Sequence, residues 1–237
     1  MSFEKYSRNY ILGHLKEMIS DERWQKFHDI IDVRTRYITV VLEDIFQPHN
    51  ASAVIRTCEL MGIQDLHITE NRNSYELNKD IVVGADKWIN LYKFNENANN
   101  TLQCYKELKR KGYRIVATSP HKNDILITHL PLEQKTALVL GNEGDGLSET
   151  ALEHADAFVK IPMYGFTESY NISVSAALCL YELTGRMRKE VINWQLTEEE
   201  KETLLLDFAL KTIKNPKTFM RRMRIELEKD KNRTGIF

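Results

Sequence analysis

Two rhythms of apolar residues alternate through the middle of the chain. Residues 38–43 form a β-branched run that predicts a buried strand. Further strands are predicted at 65–69, 88–94, 113–119 (closed by Pro120), 137–140 and 157–161. Between them lie stretches with helical spacing at 51–61, 99–111, 149–155 and from Asn171 to about 190. Asn50 is the expected N-cap of the first and Gly62 its stop; Gly112 ends the second. Residues 71–85 are polar and keep neither rhythm. Strands alternating with helices predict an α/β fold with a mainly parallel sheet.

The flanks are helical throughout. Ile11, Leu12, Leu15 and Met18 place one helix at 7–19, and Trp24, Phe27, Ile30 and Ile31 a second at 21–33, capped by Ser20 or Asp21. Towards the C-terminus, Thr197 and Glu200 have capping-box spacing ahead of an apolar stripe of Leu204, Leu205, Phe208 and Ala209. Asn215-Pro216 breaks that helix, and another carries Arg221, Arg222 and Arg224. The expected division is a helical extension over 1–36, a catalytic domain over 37–190 and a basic helical extension over 191–237.

Composition narrows the setting. The chain is 42% hydrophobic and 28% charged, enough for a packed core. No apolar run has transmembrane length, and no signal-peptide core opens the chain. Cys58, Cys104 and Cys179 lie far apart without a CxxC, against a disulfide framework or structural zinc. The expectation is a cytoplasmic protein with no membrane partner and no metal. Net charge is −1, but residues 37–184 hold 13 Lys/Arg against 19 Asp/Glu, while residues 185–237 hold 13 against nine. A basic tail on an acidic centre suits an appendage that meets a polyanion, but on charge alone solvated helix faces are the better reading.

Three stretches carry the candidate chemistry. Residues 137–148 read A-L-V-L-G-N-E-G-D-G-L-S, a strand entering a glycine-rich turn before a helix. Gly141 and Gly146 have P-loop spacing, but Leu147 stands where that loop needs lysine. The glycines run G-x-x-G-x-G, which disfavours dinucleotide binding. Residues 161–174 read I-P-M-Y-G-F-T-E-S-Y-N-I-S-V, a loop opening onto a helix whose first turns are small residues. Residues 50–56 read N-A-S-A-V-I-R, with Asn50 and Arg56 at the start of one helix. An arginine beside Val54, Ile55 and Cys58 needs a partner when buried. It either pairs with Glu43 or Asp44 or clamps a phosphate or carboxylate. Each stretch alone is better read as a turn, a cap or an ion pair.

Together, in this order, the three closely resemble the motifs of the SpoU-type tRNA/rRNA ribose 2′-O-methyltransferases, a branch of the SPOUT superfamily. The resemblance spans about residues 37–184. Within it, the Q-P-H-N-A-S-A-V-I-R-T segment over 47–57 and the short helical extensions look most like the TrmH-type tRNA enzymes, which methylate the D-loop guanosine at position 18. Tyr170 stands where the family pattern has leucine.

The resemblance implies a trefoil knot at about 137–185, although knots are rare. It implies S-adenosylmethionine as methyl donor, held by loops that here comprise Thr118 and Ser119, then Leu140, Gly141, Asn142, Glu143, Gly144 and Gly146, then Ile161, Met163, Ser169 and Tyr170. It implies a homodimer through the knot region, with the helix after Asn171 and the first βα unit against the partner. Arg56 takes the central catalytic role, with Asn50, Ser169 and Asn171 orienting groups around it. Free arginine is a poor base; Arg56 either loses its proton in the assembled site or clamps a substrate phosphate. Glu143 and Glu168 are candidates for electrostatics near the sulfonium. The flanking arginines, Arg8, Arg23, Arg34 and Arg36 at one end and Arg186, Arg188, Arg221, Arg222 and Arg224 at the other, would meet tRNA phosphates. Methylation of rRNA and a non-catalytic RNA-binding role are the competing readings.

Overall fold

The computed structural model describes residues 3–119, 124–191 and 193–234. Pro120, the expected end of one strand, lies outside them. In chain order the elements are α1 (Phe3–Met18), α2 (Asp21–Asp32), β1 (Ile38–Glu43), α3 (Pro48–Leu60), β2 (Asp65–Thr69), α4 (Lys79–Val82) and β3 (Asn90–Phe94). There follow α5 (Asn100–Arg110), β4 (Arg114–Thr118), β5 (Ile125–Leu126), β6 (Thr136–Leu140), α6 (Glu149–Glu153) and β7 (Ala157–Lys160). The chain continues through α7 (Ile172–Glu190), α8 (Glu198–Thr212) and α9 (Pro216–Thr234). Two compact units emerge, Arg34–Gln195 and a second made of Met1–Val33 with Leu196–Phe237.

In the larger unit the strands form a seven-stranded sheet, ordered β3-β2-β1-β6-β4-β7-β5. Every registered pair is parallel. Strands β1, β2 and β6 are buried along their whole length, as the continuous apolar runs required. Alternation along β1 serves two cores. Val40 and Leu42 pack with Val54, Ile55 and Leu180 of α3 and α7, while Val41 packs with Cys104, Tyr105 and Leu108 of α5. β3 begins two residues later than expected, because Trp88 is the C-cap of a 3-10 turn over Ala85–Lys87. The two-residue β5 carries no sequence rhythm of its own.

Helix α3 starts earlier than its pattern suggests. Pro48 occupies the first turn, where its missing N–H costs nothing, and Gln47 is the N-cap without a side-chain bond. Asn50 is therefore not the cap; it is buried inside the first turn and free to bond elsewhere. Gly62 follows the helix at φ 80°, the left-handed stop expected of it.

The flanking segments, separate in sequence, share the second unit. Phe27 of α2 meets Phe208 of α8 edge to face at 6.0 Å. Arg8 pairs with Glu202 at 3.3 Å, and Lys201 with Asp32 at 2.9 Å. The Thr197–Glu200 capping box forms as its spacing implies.

One buried histidine ties stability to pH. His67 of β2 stacks on Tyr92 at 4.9 Å and meets the Thr39 hydroxyl at 3.2 Å. Burial, aided by the Lys111 charge, pushes its pKa from 6.5 down to about 4. The unfolded chain takes up this proton near pH 6.5 and the folded chain only near pH 4. The His67 contribution is thus fully present above pH 6.5 and is lost as pH falls towards 4. Urea titrations across that window are expected to show a falling midpoint in the wild type and a flatter profile in His67→Gln.

Candidate active site

A cavity of about 410 Å³ opens at the carboxyl ends of β4, β6 and β7, where open α/β sheets bind ligands. Thr118 and Ser119 line it from the end of β4, and residues 140–147 from the end of β6. Ile161, Met163, Ser169 and Tyr170 line it from the loop that leads into α7. Every position assigned to the methyl donor thus faces one space. Asp145, Leu147, Leu152, Val159, Lys160, Glu168, Ile172 and Ser175 complete the wall. The lining mixes apolar side chains with the carboxylates of Glu143, Asp145 and Glu168; Asp145 pairs with Arg72 at 3.2 Å.

The glycine turn is shaped by contact with itself. Asn142 and Gly146 exchange backbone hydrogen bonds, N to O at 2.9 Å and 3.0 Å. A Cβ on Gly141 would stand 2.4 Å from the Gly146 carbonyl carbon, and Gly146 itself has φ 73°. Glycine is needed at both places so that the chain can double back, before any ligand is considered. Asn142 lines the cavity, but its side chain works for the loop. Its Oδ1 accepts from the Gly144 N–H at 2.8 Å, and its Nδ2 donates to the Asp44 carbonyl at 2.9 Å.

Asn50 joins the three motif stretches. Its Nδ2 donates to Glu143 Oε1 at 2.5 Å and to Gln47 Oε1 at 3.0 Å. Its Oδ1 accepts from Asn171 Nδ2 at 3.2 Å. The Asn171 Oδ1 in turn accepts from the Ser173 N–H at 2.9 Å and caps α7. Gln47 is a participant that the sequence did not single out; its place beside a proline masked it.

Arg56 is not part of this cluster. It is exposed on α3, outside the cavity wall, and it is not buried against Val54, Ile55 and Cys58 as those neighbours suggested. Glu43 and Asp44 are not its partners. The Glu43 carboxylate accepts from the Thr101 hydroxyl at 2.6 Å, the Ser148 hydroxyl at 2.7 Å and the Ser148 N–H at 2.9 Å. Asp44 accepts from the N–H groups of Asn71 at 2.6 Å and Arg72 at 2.8 Å. A helix turns about 100° per residue, so Arg56 and the inward-facing Asn50 diverge around α3.

The basic positions divide by burial. Arg34 leaves the RNA-facing set: it is 1% exposed, and its guanidinium binds Glu59 at 2.6 Å and the Ile63 carbonyl at 3.3 Å. Burial lowers its pKa, against the raising effect of Glu59. Arg36 pairs with Asp65 at 3.1 Å. Arg186 donates to the Leu130 carbonyl at 3.0 Å and pairs with Glu190, and Arg188 donates to the Met61 carbonyl at 2.9 Å while lying over the Trp194 ring. In the helical unit, Arg8 is committed to Glu202, Arg23 lies over Phe27 and Arg222 pairs with Glu226. Arg221 and Arg224 are exposed and carry no ion pair among the described residues. Lys217 adds a third exposed cation at helical spacing with them, missed because no motif marks it.

With this geometry in place, comparison with known proteins is direct. The model of the SpoU rRNA Methylase family matches residues 37–181, and the chain belongs to that family. It is 45% identical to a tRNA (guanosine(18)-2′-O)-methyltransferase of Borreliella burgdorferi, over 86% of this chain and 92% of that enzyme. Among solved structures it resembles the TrmH/SpoU tRNA modifying enzyme of Aquifex aeolicus, with a TM-score of 0.72 and 30% identity over 82% of this chain and 98% of that one. The fold also matches the SpoU methyltransferase AviRb of Streptomyces viridochromogenes in complex with AdoMet, at a TM-score of 0.58 and 24% identity over 68% of this chain and 64% of that one.

The Gly141 contact yields a stability test. Gly141→Ala must push apart two backbone segments that cannot yield as a side chain would. Its expected cost is about 1–3 kcal/mol, read from urea denaturation. Gly144→Ala, whose Cβ meets only the Asn142 side chain at 3.5 Å, is expected to stay close to wild type.

Proposed function

We propose that this protein transfers a methyl group from S-adenosylmethionine to the ribose 2′-oxygen of guanosine 18 in the D-loop of tRNA. The observation that carries this reading is the gathering of every donor-loop position around one cavity, in a chain 45% identical to an enzyme with that name. The cavity volume falls within the small-molecule range. Its mixture of apolar side chains, close backbone and the carboxylates of Glu143 and Glu168 fits a ligand that carries both an adenine and a positive sulfonium. Bound there, the donor supplies an activated methyl group to an oxygen nucleophile. The chain's own work is to orient the ribose and to manage its hydroxyl proton.

Asn50 holds Glu143 and Asn171 in fixed relation, so the glycine turn and the start of α7 present their groups together. Arg56 acts from a different direction. A guanidinium stays protonated under ordinary conditions, and an exposed one is placed to take a phosphate through two parallel hydrogen bonds. In this reading Arg56 clamps the substrate phosphate, and the nucleotide assists removal of its own 2′ proton. In this reading Arg56, which lies outside the cavity wall of its own chain, serves the cavity of a second copy. A dimer is further supported by Val174, Leu178 and Tyr181, an exposed stripe at helical spacing on α7, opposite the face that packs under α3. The same reading includes the trefoil knot over about 137–185 and residence in the cytoplasm.

The deciding experiment is methyl transfer from labelled donor to total tRNA and to ribosomal RNA. Incorporation at guanosine 18 of tRNA is expected; incorporation into ribosomal RNA alone would move the reading to the rRNA enzymes, and none at all would leave a binding protein. In the same assay Arg56→Lys is expected to lower kcat/KM at least tenfold, because an ammonium cannot form the two-bond clamp. A normal rate with a shifted pH profile would sink the clamp.

The exposed cations of α9 give a separate test. Reversing Arg221 and Arg224 to glutamate is expected to weaken tRNA binding and flatten its salt dependence, while leaving the donor dissociation constant unchanged.

A further inference from the structure

The loop from the end of β7 to Asn171 has two characters. Met163, Ser169 and Tyr170 line the cavity, and Asn171 fastens the loop's end to Asn50 at 3.2 Å. Between these points the chain carries two bare rings. Tyr164 is 97% exposed, and Phe166 is fully exposed. Burying a ring of this size is favourable, and both positions forgo that gain. Single exposed apolar residues need no explanation, but two aromatics flanking Gly165 at the lip of a ligand cavity form a patch. Their setting differs from the α7 stripe, where Val174, Leu178 and Tyr181 at helical spacing present the kind of face another helix packs against.

Aromatic faces beside a nucleotide-processing cavity have a natural occupant. Single-stranded RNA loops are recognised through bases that leave the stack and lie on aromatic side chains. Extracting a base from its stack is unfavourable. Stacking on a protein ring offsets that cost. A methyl acceptor on the ribose also demands that the sugar be brought to the cavity mouth, which frees its base beside the loop.

We propose that Tyr164 and Phe166 form a stacking platform for the unstacked base of the target nucleotide, placing its ribose at the mouth of the donor cavity. This rests on the tRNA methyl-transfer reading and adds to it a base-binding site. The platform is tolerant of base identity, since stacking uses the π-face that every base shares.

The test is a cycle between the rings and the base. Full-length wild type and Tyr164→Ala/Phe166→Ala are titrated with tRNA bearing guanosine at position 18 and with tRNA bearing an abasic nucleotide there. The wild type is expected to bind the abasic RNA about tenfold more weakly, and the double variant to bind both RNAs alike. Its affinity for S-adenosylmethionine is expected to be unchanged, because neither ring lines the cavity. A Tyr164→Leu/Phe166→Leu variant keeps bulk at the lip without a ring, and it too is expected to lose discrimination between the RNAs. A variant that retains the wild-type ratio overturns the platform. So does a double variant that sediments as a smaller species than wild type, since the rings then belong to a contact between protein chains. Wild-type protein that methylates no tRNA and binds both RNAs equally overturns the underlying tRNA reading, a failure that the methylation assay distinguishes from loss of the platform.

Discussion

The candidate site depends on one amide. Asn50 sits in the first turn of α3, buried, and spends both faces of its side chain on other loops. Its nitrogen bonds Glu143 of the glycine turn and its oxygen accepts from Asn171 at the start of α7. Stretches separated by 93 and 121 residues are thereby held in one network. Asparagine suits the place because a single short side chain carries donor and acceptor together. Aspartate would lose both donated bonds and put a charge beside Glu143. Leucine would break both bonds and so untie the glycine turn from the start of α7, although Asn171 would still cap its helix through Ser173.

Around this amide, buried carboxylates hold the ends of the strands in order. Glu43 finishes β1 and grips Ser148 at the exit of the glycine turn; Asp44, at φ 50°, gathers the backbone of residues 71–73. Its carbonyl also receives Asn142. Two adjacent acids thus anchor the entry and exit of the same turn. A buried carboxylate is tolerated when several donors satisfy it, and removing them leaves a costly unpaired charge. These bonds brace the glycine turn and the start of α7, and none of them reaches Tyr164 or Phe166 among the described residues.

The basic residues show how little a count of arginines says about binding. Arg34, Arg36, Arg186 and Arg188 fasten carbonyls and carboxylates within the larger unit. Arg221 and Arg224 of α9 are exposed and make no such bond among the described residues. A guanidinium with five donors is as useful for closing a protein's own surface as for meeting phosphate, and only its neighbours decide between the two.

The sequence by itself determined the alternation of strands and helices, the helix stops at Gly62 and Gly112, and the capping box at Thr197. Those are local properties: periodicity, cap chemistry and glycine's freedom at positive φ act within a few residues. The family was legible because three weak local signals recur in a fixed order. Tertiary structure alone decided the rest. It made Asn50 a bridge rather than a cap, gave Glu43 to Ser148 rather than to Arg56, buried Arg34, exposed Arg56, and brought the two flanks into one helical unit. Each of these depends on what another part of the chain offers within hydrogen-bonding or van der Waals reach, and that partner is set by the sheet order β3-β2-β1-β6-β4-β7-β5 and by helix packing, not by sequence spacing.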